Sequence, residues 1–324
     1  MSETPSLHPD RNLAMELVRA TEAAAIRAYP FIGKGDKNAA DGAAVDAMRA
    51  FLGTVNFEGL VVIGEGEKDD APMLFNGEVV GSGNGPKVDI AVDPIDGTSL
   101  TAAGRQNAIS VIAVSDRGSM LDASAVFKMD KFVVGPAGKD VCDIRKPIAE
   151  NISAYAKAAG KAVDEVLVAI LDREYNAKVI QEVRDSGAAT RLLRDGDVAG
   201  GIQAARADSR IDMCIGIGGS PEGIVTACGI KALGGLIQGV LAPREEFEYE
   251  RGAEAGLKFD YVYEMDEMVA SDNTFFVATG VTDGALLAGV RRQGDLITTE
   301  SIVIRGRSGT VRKVYAEYQA SRWL

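Results

Sequence analysis

The stretch Asp93-Pro94-Ile95-Asp96-Gly97-Thr98, which ends the apolar run Val88 to Val92, constrains this chain most. It carries two acids and a hydroxyl out of a buried strand onto a Pro-Gly turn. Pro94 fixes its own φ and Gly97 permits a tight bend or a positive φ, so Asp93 and Asp96 can face one small volume. Carboxylates at so short a separation repel and resist joint ionisation unless a cation sits between them. A second acidic turn, Gly64-Glu65-Gly66-Glu67, ends the earlier strand-like run Leu60 to Ile63. Hard oxygen ligands gathered at strand ends suit Mg2+ or Mn2+, and the pattern predicts a divalent-metal site.

At 324 residues the chain exceeds what one compact core usually holds, so two domains sharing a cleft are expected, 1–160 and 161–324. A hydrophobic content of 46% with 37 glycines fits an α/β chain with many tight strand-to-helix turns. The net charge of −12 argues against nucleic acid as a partner, since such affinity comes mainly from cations on phosphates. An acidic protein handling an anionic substrate must attract it locally, which a bound divalent cation does. The one histidine, His8, lies in a polar N-terminal tail, which excludes a Ser-His-Asp triad or a histidine general base. Cys142, Cys214 and Cys228 are odd in number and form no Cys-x-x-Cys pair, so buried structural thiols are expected rather than disulfides. The first ten residues lack an apolar signal segment and no apolar stretch approaches a membrane span, so a cytoplasmic location is expected.

Asp10 can cap a helix running to about Tyr29, and a second helix is predicted from Gly42 to Leu52. Strand-like runs at 60–63, 88–92, 108–114 and 131–134 predict an antiparallel or mixed sheet packed by those helices. From Asp164 the rhythm changes. Runs at 166–171, 190–193 and 213–217 read as strands, and 176–185, 198–207 and 221–233 as helices. Such alternation predicts a parallel sheet whose ligands gather at the carboxyl ends of its strands. The tail returns to strands at 274–279, 301–305 and 310–318.

Five further runs stand in order with the Asp93–Thr98 motif: Gly35-Asp36-Lys37-Asn38-Ala39-Ala40-Asp41-Gly42, Ile63-Gly64-Glu65-Gly66-Glu67, Ala71-Pro72-Met73-Leu74, Asp195-Gly196-Asp197 and Gly218-Gly219-Ser220-Pro221-Glu222-Gly223. Together they resemble the metal-dependent, lithium-sensitive phosphatase superfamily of inositol monophosphatases and fructose-1,6-bisphosphatases, and within it the class II fructose-1,6-bisphosphatases. The similarity runs from about Asp10 to Ser308-Gly309-Thr310-Val311-Arg312. It implies a layered α-β-α-β-α sandwich, an α+β half followed by an α/β half, and a homodimer or homotetramer.

Taken alone, Asp41 reads as an N-cap of the second helix, and Glu65 and Glu67 as part of a solvated acidic turn that continues to Asp69. Thr98 reads as a local side-chain-to-backbone bond, and Glu222 as a first-turn acid after Ser220-Pro221. The resemblance implies instead that Asp41, Glu65, Asp93, Asp96 and Glu222 hold two or three Mg2+ or Mn2+ ions. It implies that Glu67 and Asp69 orient water or support the ligands. Thr98, with the Gly97 amide and the Gly219 region, is implied to hold the reacting phosphate, beside Asp96. Lys128, Arg173, Glu174, Tyr175 and the Asp195-Gly196-Asp197 loop are implied to recognise the rest of the substrate.

The chain departs from the family where members carry Arg-Pro-Arg-His or Lys-Pro-Arg-His, here Arg173-Glu174-Tyr175-Asn176, and where they carry Tyr, here Lys128. A cation and a phenol are exchanged between the two places, and Lys gives a point charge where Arg gives a fork. The resemblance implies hydrolysis of fructose-1,6-bisphosphate to fructose 6-phosphate. The alternatives are the same chemistry on sedoheptulose-1,7-bisphosphate or a sugar or inositol monophosphate, and a non-catalytic sugar-phosphate sensor.

Overall fold

Strand alternation sorts the apolar side chains onto opposite faces of two sheets, and helices cover every face that results. The computed structural model describes residues 13–65 and 73–323. The first sheet holds β1 (Glu58–Ile63), β2 (Val79–Val80), β3 (Lys87–Asp96) and β4 (Ile109–Asp116). The second contains β5 (Lys128–Val134), β6 (Leu167–Leu171), β7 (Ala189–Leu193), β8 (Met213–Gly219), β9 (Leu236–Leu241) and β10 (Val262–Glu264). The chain then returns to the first sheet with β11 (Phe275–Gly280), β12 (Arg291–Gln293), β13 (Leu296–Arg305) and β14 (Thr310–Gln319). The orders are β12-β13-β11-β4-β3-β1-β2, with β14 beside β13, and β10-β9-β5-β8-β6-β7.

The layers follow from which face each side chain takes. Ile90 and Val92 of β3, with Ile112 and Val114 of β4, pack against helices α1 (Ala14–Ala28) and α2 (Lys37–Leu52). Their neighbours Ala91, Val111 and Ala113 face the other way, into a central core. Two helices fill that core between the sheets, α6 (Val198–Ala204) and α7 (Ser220–Leu233), to which Ile202, Ile224 and Cys228 belong. The far face of the second sheet buries Phe132, Val134, Met213 and Ile215 with Ile152 and Val183 of α4 (Ile148–Ala159) and α5 (Ala177–Asp185). The result is the expected five-layer α-β-α-β-α sandwich. A further short helix, α3 (Thr98–Ala102), follows β3 directly.

Three expectations change. The second helix starts at Lys37, not Gly42, because Asp36 caps it by accepting from the Ala39 amide at 2.9 Å, so Asp41 lies inside the helix. Asp93 and Asp96 do not sit on a turn after the strand. They belong to β3, at an irregularity in its pairing with β4 between Asp93↔Val111 and Asp96↔Ile109. The second sheet is mixed: β6 pairs in parallel with β7 and β8, but β5 pairs antiparallel with β8 and β9. Neither sheet stops at residue 160, since β5 lies inside the second and β11–β14 build an edge of the first. The Asp10 cap lies outside the described residues.

Candidate active site

Both sheets deliver acids to one cleft of about 380 Å3. Asp41 reaches it from α2, Glu65 from the end of β1, Asp93 and Asp96 from the β3 irregularity, and Glu222 from the first turn of α7. Glu65 is placed by its amide, which donates to the Leu74 carbonyl at 2.9 Å, and by the Gly64 amide, which donates to Asn76 Oδ1 at 2.8 Å. Asp93 accepts from the Ile95 amide at 3.0 Å, which turns its carboxylate back over the irregularity.

Every one of these acids is raised above its own ordinary value. Burial pushes Glu65 up to about 8, helped by the charges of Asp41 and Glu222 and by its hydrogen bond with Asp41. Burial raises Asp41 as well, and the bond with Glu65 draws it partly back. Asp93 is raised by burial and then by the charges of Asp96, Glu65, Glu222 and Asp41. Asp96 is raised by burial, Asp197 and Glu222, against Lys131. Glu222 is raised by burial, again against Lys131. Carboxylates that oppose one another's ionisation across a shared volume invite a cation.

Glu222 adds an independent sign, because its Oε2 is buried and has no hydrogen-bond partner. An orphaned buried carboxylate oxygen costs free energy that a metal bond would recover. Among the described residues no three acids enclose one ion position as the side chains now stand, so the carboxylates line the cleft without closing on a point. The hard-oxygen donor set and the orphaned oxygen fit a divalent cation of the Mg2+ or Mn2+ kind. Glu67 and Asp69 lie outside the described residues.

A buried lysine missed in the sequence organises the back wall. Lys131 Nζ lies 2.6 Å from Asp197 Oδ2 and donates to the Gly219 carbonyl at 2.9 Å. Burial pulls the ammonium down, but the charges of Asp197 and Glu222 outweigh it and leave the group above the ordinary lysine value. The glycines of the 218–223 run make room for these side chains. A Cβ on Gly218 would fall on the Asp197 carboxylate, and one on Gly219 on that of Glu222. The signal for Lys131 was its place in β5, on the face of the apolar Met129 and Val133.

The Asp195-Gly196-Asp197 loop ties the two sheets together at the cleft. Asp195 accepts from the Ser99 hydroxyl of α3 and from Arg173 Nη2 at 2.9 Å. Asp96 Oδ2 accepts from the Val198 amide at 3.3 Å, and a Cβ on Gly196 would stand 2.9 Å from Asp96 Oδ1. Gly97 has a φ of 95° and starts α3, a backbone that side chains rarely adopt. Thr98 donates to the Ile95 carbonyl at 3.2 Å, the plain local bond read from sequence, while still lining the cleft.

At the outer end, Lys128, Arg173 and Tyr175 line the cleft and Glu174 does not; it is exposed to one side. Much of Arg173 is engaged internally, since Nη1 donates to the Arg194 carbonyl at 2.5 Å and Nη2 meets Asp195. Asn176 is buried and clamps β6 to β8: it donates to the Leu171 and Ile217 carbonyls at 3.0 Å each and accepts from the Ile217 amide at 2.9 Å. The Arg244 guanidinium stacks over the Tyr175 ring at 4.2 Å. Ser99 and Arg244 belong to no recognisable motif, and only the fold brings them here.

Residues 11–318 match the sequence model of a family described as bacterial fructose-1,6-bisphosphatase, glpX-encoded. The chain is 44% identical over 325 aligned positions to fructose-1,6-bisphosphatase 1 class 2 of Escherichia coli strain K12, covering 96% of each chain. The fructose-1,6-bisphosphatase class 2 of Shigella flexneri matches to the same extent. Among solved structures, the extragenic suppressor protein suhB from Bartonella henselae superposes with a TM-score of 0.33 at 15% identity, over 60% of this chain and 71% of that one. At that level the superposition adds nothing to the layers described above. The length and identity of the sequence matches establish that the chain belongs to the bacterial, glpX-encoded class II fructose-1,6-bisphosphatase family.

Proposed function

We propose that this chain is a metal-dependent phosphatase that hydrolyses fructose-1,6-bisphosphate to fructose 6-phosphate and inorganic phosphate. The observation that carries the reading is the meeting of five acids from separate elements in one cleft, one of them with an orphaned buried oxygen. Asp41, Glu65, Asp93, Asp96 and Glu222 would hold Mg2+ or Mn2+. When bound, such a cation polarises a phosphoryl oxygen, lowers the pKa of water and neutralises developing charge. Gly97 and Thr98 would seat the reacting phosphate where β3 passes into α3, with the Thr98 hydroxyl bonding an oxygen of the scissile ester. The Lys131–Asp197 pair holds the wall beneath Glu222, and Gly219 offers its backbone to the same phosphate. Glu67 and Asp69 would act on the attacking water.

Substrate choice would rest on the outer end of the cleft. Because Arg173 is committed to Asp195 and Arg194, Lys128 supplies the charge that lines the cleft there, and Arg244 stands behind it, stacked on the Tyr175 ring. A lysine lining that end, with a guanidinium stacked on Tyr175, favours a substrate with a second phosphate over a monophosphate. The family likeness supports a homodimer or homotetramer and a cytoplasmic setting. Among the described residues no helix is long and apolar enough to cross a membrane.

The test is inorganic phosphate release with Mn2+ across a panel of sugar mono- and bisphosphates. Fructose-1,6-bisphosphate is expected to lead the panel. A lead taken by sedoheptulose-1,7-bisphosphate or an inositol monophosphate would keep the chemistry and reassign the substrate through Lys128 and Tyr175. No metal-dependent release from any of them would return the chain to a sensor.

A further inference from the structure

A second cavity, of about 430 Å3, lies behind α6, on the opposite side of the Asp195-Gly196-Asp197 loop from the acid-lined cleft. Its charge is the reverse of the cleft's. Four cations line it, Arg191, Arg206, Arg210 and Lys313, against one carboxylate, Asp208. The whole chain carries −12, so this local excess of positive charge runs against the average. The cations come from separate places in the fold: Arg191 from β7, Arg206 and Arg210 from the α6–β8 connection, and Lys313 from β14. Tertiary structure gathers them, and no basic run in the sequence announces the site.

Some of this charge is uncommitted. Arg206 Nη2 meets Asp208 at 2.5 Å, and Lys313 Nζ lies 3.5 Å from Glu300. Among the described residues, Arg191 and Arg210 have no acidic partner. Below the cations, the side chains of Leu193, Ile211 and Leu286 give the cavity an apolar floor. Guanidinium forks over an apolar floor suit a phosphate group joined to a compact organic body better than bare phosphate. The cavity and the cleft share a wall, because Gly196 lines both. From that wall α6 starts, and its first amide, that of Val198, donates to Asp96.

We propose that this cavity is a second anion site, distinct from the catalytic cleft, that takes a small organic phosphate and alters turnover through the shared Gly196 wall and α6. A phosphate drawn toward Arg191 and Arg210 would pull on β7 and on the α6–β8 connection, which flank α6. Movement of α6 would then reach Asp96, and through Asp195 also Ser99 and Arg173.

The probe is phenylphosphonate, a non-hydrolysable organic phosphate mimic. Titrated by calorimetry into the full chain in chelator, where the acid cluster of the cleft repels a dianion, it should bind saturably at one site per chain. The double variant Arg191→Glu/Arg210→Glu should weaken that binding by at least ~10-fold with an unchanged circular dichroism spectrum. This first arm does not depend on the phosphatase reading. In the second, with Mn2+ and fructose-1,6-bisphosphate, the probe should change kcat or KM non-competitively in the native chain and not in the variant. Should the double variant fail to fold, Lys313→Glu gives the same comparison. The proposal is overturned by absent binding, by binding that survives charge reversal, by purely competitive inhibition equal in both proteins, or by binding that leaves turnover unchanged.

Discussion

Lys131 stands where strand alternation asks for an apolar side chain, beside Met129 and Val133 in the central core, and its ammonium is buried with them. The charge is retained there because Asp197 meets it directly and because it offsets part of the repulsion on Asp96 and Glu222. Removing one partner of a buried pair costs about 3–5 kcal/mol, since the other is left uncompensated. Lys131→Met, which keeps the apolar stem, is therefore expected to lower the urea midpoint strongly at pH 8. The loss should be smaller at pH 5, where the raised carboxyls of Asp96 and Glu222 take up protons and need no counter-charge. Equal losses at both pH values would mean that packing, not charge, is what Lys131 supplies. Asp93, Asp96, Glu65 and Glu222 were legible in the sequence because strand ends and glycines flank them; Lys131 was legible only as a break in period two.

Helix α2 shows how an element can be read correctly and its start misplaced. Asp36 and Asp41 lie five positions apart, and either can open a helix by residue type alone. Folding assigns the cap to Asp36 and leaves Asp41 inside the helix, facing the cleft. The two should respond oppositely, with stability read in chelator and turnover with Mn2+. Asp36→Ala is expected to cost about 0.5–2 kcal/mol in denaturant unfolding and to leave metal-dependent turnover nearly unchanged. Asp41→Asn should leave stability equal or raised, by relieving Glu65, and sharply weaken Mn2+-dependent turnover. The reverse pattern would restore Asp41 to a capping role. Elsewhere, the strands and helices of residues 166–233 fall within a few positions of their predicted places, because each has its own periodic face. The mixed pairing of the second sheet was not legible. Nothing local tells β5 to leave its sequence neighbours and insert between β8 and β9.

At the scale of the whole molecule, the acid cluster links metal, protons and stability. The sign follows from the direction of the shifts. A carboxyl raised in the folded chain binds more protons there than in the unfolded chain, so stability falls as pH rises between the two values. For Glu65 that window runs from the ordinary 4.5 to about 8, and Asp41, Asp93, Asp96 and Glu222 are shifted in the same direction. In chelator, Tm is expected to decline from pH 5 to pH 8.5. Added Mn2+ should raise it, and raise it more at the upper end, where the ligands are ionised. A Tm gain independent of pH would argue against the carboxylates as ligands. The five layers were legible from periodicity and family likeness together. Their seam, where both sheets contribute to the cleft, became visible only in three dimensions.

The most direct measurement is phosphate release from fructose-1,6-bisphosphate by Asp93→Asn beside the unaltered chain, with Mn2+ and with chelator, and with Mn2+ binding followed by calorimetry. If the carboxylates hold the metal that drives hydrolysis, chelator abolishes release. The variant then loses roughly 100-fold or more in rate, binds Mn2+ more weakly and keeps its circular dichroism spectrum. Release that persists in chelator, or a variant that turns over at the native rate, would contradict the account.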